Sequence, residues 1–274
     1  MQDNELDRHY DYMEWCYNGY ESMVNGSVDQ FKAMTGAESY YVLHLDAYAG
    51  NEAKIMDQIK EGAKRLYENI IATLKRVREY FFGEGEKAAE TAAEAAESSL
   101  NAMDGLRGDA PIPESHPARD PETYIKQLEG GTEFQEVMKE NSNLTGAIDR
   151  VRKTLDKVKN AATVGNLRAV LKEAKSELDK GVRAVGDSLR KELSDAEKAA
   201  GKLKSPKLPK EGDSPEVASA VKQENTEATQ EAKDATMHTR IIGGVRNKFV
   251  GVYNTISANI KKVNDNPPKS DFKG

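Results

Sequence analysis

The sequence predicts a mostly α-helical protein: an elongated helical bundle, coiled-coil-like, with proline-rich linkers. Three observations carry that expectation. Apolar residues recur at spacings of three and four through long segments, as they do where a helix buries one stripe. Proline falls mainly between those segments, so it marks connections. With 38% hydrophobic and 31% charged residues in 274, and a mean hydropathy of -0.74, the chain suits narrow apolar seams better than one thick core.

Residues 1–83 read as a tyrosine-rich N-terminal helical domain. Leu6, Tyr10, Met13, Tyr17, Tyr20 and Val24 make a first amphipathic helix. Eight of the eleven tyrosines lie in the first 67 residues. Each ring offers a large apolar area with a polar tip, suited to core packing or to a contact surface. SYYVLHLDAY (39–48) reads as a helical turn or a short strand, with helix favoured. The stretch IMDQIKEGAKRLYENIIATLKRVREYFF then places Ile55, Ile59, Leu66, Ile70, Leu74, Val77 and Phe81 on one stripe, and Gly83-Glu84-Gly85 ends it.

Residues 84–122 hold an alanine/glutamate helix, EKAAETAAEAAESSLNAM, and a loop with Pro111, Pro113, Pro117 and Pro121. Alanine favours helix but has little to bury, so this segment packs closely, stands in solvent or serves as a linker. Residues 123–203 form a long amphipathic region. Leu144, Ile148, Val151, Leu155, Val158 and Ala162 make one seam; Leu167, Leu171, Leu178, Val182, Val185, Leu189, Leu193 and Leu203 continue it, with alanines between. Periodicity leaves open whether Val164-Gly165-Asn166 kinks one helix or turns a hairpin. The small side chains of this seam suggest reliance on a partner helix. KSPKLPKEGDSP (204–215) is a linker. Residues 216–274 are a C-terminal helical segment and a loose tail. Positions 216–236 are polar nearly all round and hence weakly anchored, whereas Ile242, Val245, Phe249, Val252, Ile256 and Ile260 share one face. The Gly243-Gly244 pair among them weakens a helix by about 1 kcal/mol per glycine.

The net charge of -6 conceals an asymmetry. Residues 1–46 carry nine acidic and two basic side chains, 84–122 ten and three, and 144–204 nine and fifteen. Such alternation suggests charge-guided packing within or between chains. Acids interleave with the lysines and arginines of 167–193, a pattern unsuited to autonomous nucleic-acid binding. No apolar run is long enough for a transmembrane segment, and MQDNELDRHYDYMEW lacks the apolar core of a Sec signal.

The lone cysteine, Cys16, excludes an internal disulfide framework and reads as a packed side chain. His9, His44, His116 and His238 lack metal-ligand spacing, and His116, in the proline loop, is expected in solvent. With no nucleophile elbow, phosphate loop or paired-ligand motif, the sequence points away from an enzyme and from any cofactor or metal. Arg107-Gly108-Asp109 reads as a chance triplet.

A charged, alanine-rich helical chain of this texture resembles the internal head and scaffold-like proteins of tailed phages. The likeness runs along the whole chain and rests on no contiguous motif. It includes triplets of a small residue, any residue and glutamate, similar to those cut in some virions: Gly36-Ala37-Glu38, Ala88-Ala89-Glu90, Ala92-Ala93-Glu94, Ala95-Ala96-Glu97 and Ser214-Pro215-Glu216. Alanine/glutamate-rich helices also generate such triplets by composition. The resemblance implies a non-enzymatic virion component, made in the cytoplasm of the producing cell and packaged in the particle. Its partners would be capsid components or further copies of itself, with Glu38 and Glu97 as candidate processing sites.

Two alternatives stand beside it. One is an intracellular helical adaptor that binds one protein through the 167–203 seam or the tyrosine-rich N-terminus. The other is a peripheral lipid-surface protein using 55–82 and 237–263. Residues 55–82 carry six basic and four acidic side chains, a mixed polar face that suits protein better than lipid. The candidate helix-packing or interaction seam is therefore Ile55, Ile59, Leu66, Ile70, Leu74, Val77, Phe81, Leu167, Leu171, Leu178, Val185 and Leu189.

Overall fold

The computed structural model describes residues 3–25, 52–207 and 214–265, which leaves the 39–48 segment outside the described residues. The described regular elements are helices: α1 (Asp3–Asn25), α2 (Glu52–Phe81), α3 (Glu84–Ala102), α4 (Glu122–Ile125), α5 (Thr132–Glu140), α6 (Ser142–Leu155), α7 (Val164–Leu203) and α8 (Pro215–Asp265). Short 3-10 turns interrupt them, and the extended pairing described is the single bridge Pro111–Thr163. The fold class expected from periodicity is therefore found.

The compact units cut across the linear segments read from the sequence. Unit 1 comprises Met1–Tyr80 with Arg190–Arg240, and unit 2 comprises Phe81–Leu189 with Ile241–Gly274. Residues 164–189 of α7 thus belong to unit 2 and 190–203 to unit 1, while α8 divides at 240.

In unit 1 the cross-helix partners of each neighbouring pair run in opposite directions. His9 with Arg76 and Cys16 with Asn69 set α1 antiparallel to α2. Arg78 with Glu197, and Lys204 over the Tyr67 ring, do the same for α2 and α7. Lys202 with Glu231 and Glu192 with His238 relate α7 to α8. Tyr10 with Thr239 and Tyr17 with Ala232 close the ring between α1 and α8. These pairings define a four-helix bundle with antiparallel neighbours. Leu66, Ile70, Leu74, Val77 and Leu193 fill its interior at 0% exposure, each contributing roughly 1.5–3 kcal/mol by burial.

Unit 2 is built around the first part of α7. Lys175 meets Glu97 at 3.2 Å and Arg168 meets Asp104, so the basic helix α7 lies antiparallel to the acidic helix α3. Charge-guided packing here occurs within the chain. Arg150 with Glu177 and Lys157 with Glu173 set α6 antiparallel to α7, so the chain makes a hairpin, but its turn precedes Val164 and Val164-Gly165-Asn166 open α7 instead of forming the turn. The turn begins early, because α6 gives way to a 3-10 stretch at Asp156–Asn160. That change of pitch buries Ala161 and leaves Ala162, expected in the seam, exposed.

The alanine/glutamate segment is a packed helix: Ala89, Ala92, Ala96 and Leu100 are buried. The proline loop after it is pinned by Arg119, which donates to the Ile112 and Lys159 carbonyls, and by the Tyr124 hydroxyl on the Ala118 carbonyl. His116 corrects the expectation of a solvated ring. It is half-buried, its Nδ1 accepts from the Ala118 amide at 3.1 Å, and burial together with Lys262 holds its pKa below the ordinary value. The charged ends of the Arg107-Gly108-Asp109 triplet bind each other at 2.7 Å.

The glycine pair in α8 has separable roles. A side chain at Gly243 would collide with the Phe81 ring, whereas nothing lies within 4 Å of the Gly244 position. Arg246, 2% exposed, lies over the same ring at 5.3 Å and donates to the Phe81 carbonyl at the end of α2. A guanidinium there satisfies a terminal helix carbonyl and complements the helix dipole. The helix continues through both glycines to Asp265.

Candidate functional site

Of the seam read from the sequence, Leu66, Ile70, Leu74, Val77 and Phe81 are at most 2% exposed, and Leu167, Leu171, Leu178, Val185 and Leu189 are fully buried. The side chains of Ile55 and Ile59 lie outside the described residues. The partner helix expected for 167–203 is supplied by the chain itself, through α3, α6 and α8 in unit 2 and through α2 and α8 in unit 1. Glu38 lies outside the described residues. Glu97 sits within α3, its carboxylate 3.2 Å from Lys175, so cleavage there requires α3 to unwind.

The N-terminal tyrosines divide between two faces of α1. On the inner face Tyr10, Met13, Tyr17 and Tyr20 are at most 1% exposed. Tyr10 Oη lies 2.8 Å from Thr239 Oγ1. The Thr239 hydroxyl gives its own proton to the Thr236 carbonyl, which leaves Tyr10 as donor. Tyr17 reaches both the Ala232 carbonyl and Thr236 Oγ1 at 2.9 Å. Burial pushes both phenols above the ordinary tyrosine value, and it pushes Tyr20, whose hydroxyl has no partner among the described residues, up to about 12. Arg240 fixes the edge of this face, binding Asp7 and Asp11 at 3.0 and 2.9 Å and covering the Tyr10 ring.

The facing stripe of α8 overturns the expectation of a weakly anchored 216–236. Asn225, Thr229, Ala232, Thr236 and Thr239 are buried at helical spacing. Their small volumes admit the tyrosine rings. Thr229 and Thr236 bond back to the carbonyls four residues earlier and keep oxygen lone pairs for a neighbour. Counted only as polar, these residues gave no seam. Their common spacing of three and four was the available signal.

The outer face of α1 carries Arg8, Tyr12 and Trp15 at positions i, i+4 and i+7, which share one side of a helix. Tyr12 is 45% exposed and Trp15 half-buried, their ring centroids 5.7 Å apart. Arg8 is exposed and forms no ion pair among the described residues. Around this stripe Asp7 and Asp11 share the one guanidinium of Arg240, and Glu14 lies 3.9 Å from Lys233. Arg, Tyr and Trp are the side chains that most often dominate protein contacts.

On α3 the outward side carries Glu86, Glu90 and Glu94, exposed and forming no ion pair among the described residues. An open groove of about 470 Å³ between α7 and α8 is lined by Glu192, Glu227, Gln230, Glu231, Asp234, Ala235 and His238. Among the described residues no three His, Cys, Asp or Glu side chains converge as metal ligands. No described helix is long and apolar enough to cross a membrane. Compared with known proteins, the chain matches no family model, no curated protein sequence and no solved structure.

Proposed function

We propose that this chain is a non-enzymatic structural or interaction protein, an internal head or scaffold-like component of a phage virion. Support comes from the texture of the sequence together with one observation. The described apolar seams are consumed inside the chain, which leaves, among the described residues, a charged helical surface on which Tyr12 and Trp15 of α1 lie side by side. A chain of that kind engages others through outward side chains without first unfolding. The adaptor alternative loses the 167–203 seam as its capture surface, and the lipid-surface alternative loses the buried stripe of α2. Mass spectrometry of gradient-purified particles from the producing cells tests the proposal. Recovery of the chain in constant proportion to the coat protein supports it, and confinement to the non-particulate fraction overturns it.

A further inference from the structure

We propose that His116 is an acid-sensitive latch on the proline loop of unit 2: neutral, it caps the Pro117–Arg119 turn, and protonated, it releases that turn. The latch is a conformational device of the fold and stands independently of the virion reading.

The working part is one acceptor nitrogen. His116 Nδ1 takes the Ala118 amide at 3.1 Å and so caps the 3-10 turn Pro117–Arg119 at its start. A neutral imidazole that accepts at Nδ1 carries its proton on Nε2. The second proton must therefore go to Nδ1, where it meets the Ala118 N–H as donor against donor. The capping bond is then lost. Asparagine, a common cap, has no such weakness, because its amide oxygen remains an acceptor across this pH range.

The charges around the ring favour its neutral form. Lys262 of α8 opposes the imidazolium. Within the loop Arg119 is spent on the Ile112 and Lys159 carbonyls, Asp120 on the Glu122 amide and the Thr123 hydroxyl, and Glu114 is exposed. In the Asp156–Asn160 stretch packed on the turn, Lys159 and Asp156 pair with each other at 2.6 Å. Among the described residues no carboxylate pairs with the ring. Burial and Lys262 accordingly hold its pKa below the ordinary 6.5. A loosened loop returns the ring to water, where it takes up a proton more readily than in the closed loop. The latch is thus fully set above pH of about 6.5 and is lost as pH falls through the lower, closed-loop value.

What the turn secures is apolar. Ala118 is 0% exposed, Ile112 3% and Ala110 6%, and Arg119 of the same turn carries the clasp onto the Ile112 and Lys159 carbonyls. Releasing the turn loosens that clasp and uncovers this face, while α3, α6 and α7 keep their own helical bonds.

Nuclear magnetic resonance on the full chain, from about pH 8 to pH 5, follows the His116 ring and the amide exchange of Ala118 to Asp120. Exchange is corrected for its intrinsic pH dependence. The ring is expected to titrate below ordinary histidine, and protection of those amides to fall severalfold across the same titration, with α7 amides unchanged. His116→Asn keeps an acceptor that does not titrate, so its protection is expected to stay level. Lys262→Met is expected to move the ring titration and the loosening upward in pH together. Level protection in the wild type through the ring titration, or an undiminished acid response in His116→Asn, overturns the proposal. So does a Lys262→Met variant in which the ring titration moves and the loosening does not.

Discussion

Along α8 the two units pack their helices with opposite kinds of side chain. In unit 1, α8 contributes Thr229, Ala232, Thr236 and Thr239, and the bulk comes from the tyrosines of α1. In unit 2 it contributes Ile242, Val245, Phe249, Val252, Ile256 and Ile260, and the accommodating small residue lies opposite, as Gly181 does beneath the Phe249 ring. Either arrangement fills space, because a large side chain meets a small one. They differ in what fixes register. A hydroxyl pair tolerates little sliding, whereas aliphatic contacts depend on shape and area.

The sharpest way to break the contrast is to empty unit 2. Phe249→Ala removes a fully buried ring and is expected to cost about 3–5 kcal/mol, read as a lower urea midpoint. The glycine pair comes next and works as an internal control. Gly243→Ala forces its Cβ into the Phe81 ring and is expected to lose about 1–2 kcal/mol after the helix gain is subtracted. Gly244→Ala meets open space and is expected to gain up to about 1 kcal/mol. Equal effects at the two positions would remove the packing explanation.

In unit 1 the comparable test is a single oxygen. Tyr17→Phe leaves the Ala232 carbonyl and Thr236 hydroxyl without their phenol and is expected to cost about 1–2 kcal/mol. Tyr20→Phe removes a buried hydroxyl with no described partner, so equal or greater stability is expected there. A matching loss at both sites would show that the rungs matter only as ring volume.

Alkali should sharpen the same point. In the unfolded chain tyrosine titrates near its usual value of about 10, whereas burial raises the folded values of Tyr10 and Tyr17. The stabilisation is fully present below pH of about 10 and is lost as pH rises through the folded values, because the unfolded chain then releases protons the folded one retains. Melting temperature should fall above pH 10, and less steeply in a Tyr10→Phe/Tyr17→Phe double variant. Tyr124 and Tyr253 in unit 2 are raised as well, so the variant reduces the slope without abolishing it. The smallest effect is expected at the surface. Glu231→Gln breaks an exposed 2.5 Å pair with Lys202 and should change stability by less than about 0.5 kcal/mol.

Much of this protein was legible before its fold. The periodicity of Leu66 to Phe81 and of Leu167 to Leu203 set helix type and the buried face, since an α-helix gathers every third and fourth residue on one side. Glycine and proline marked the connections near residues 83, 111–121 and 204–215. Only the tertiary structure decided which seams meet, and it divided the chain into units that no linear boundary foreshadowed. It also made a core of Thr229, Thr236 and Thr239, because whether a small polar residue is buried depends on the bulk and hydrogen-bonding capacity of what faces it. Opposite Thr236 and Thr239 stood tyrosines more than 200 positions away in the chain.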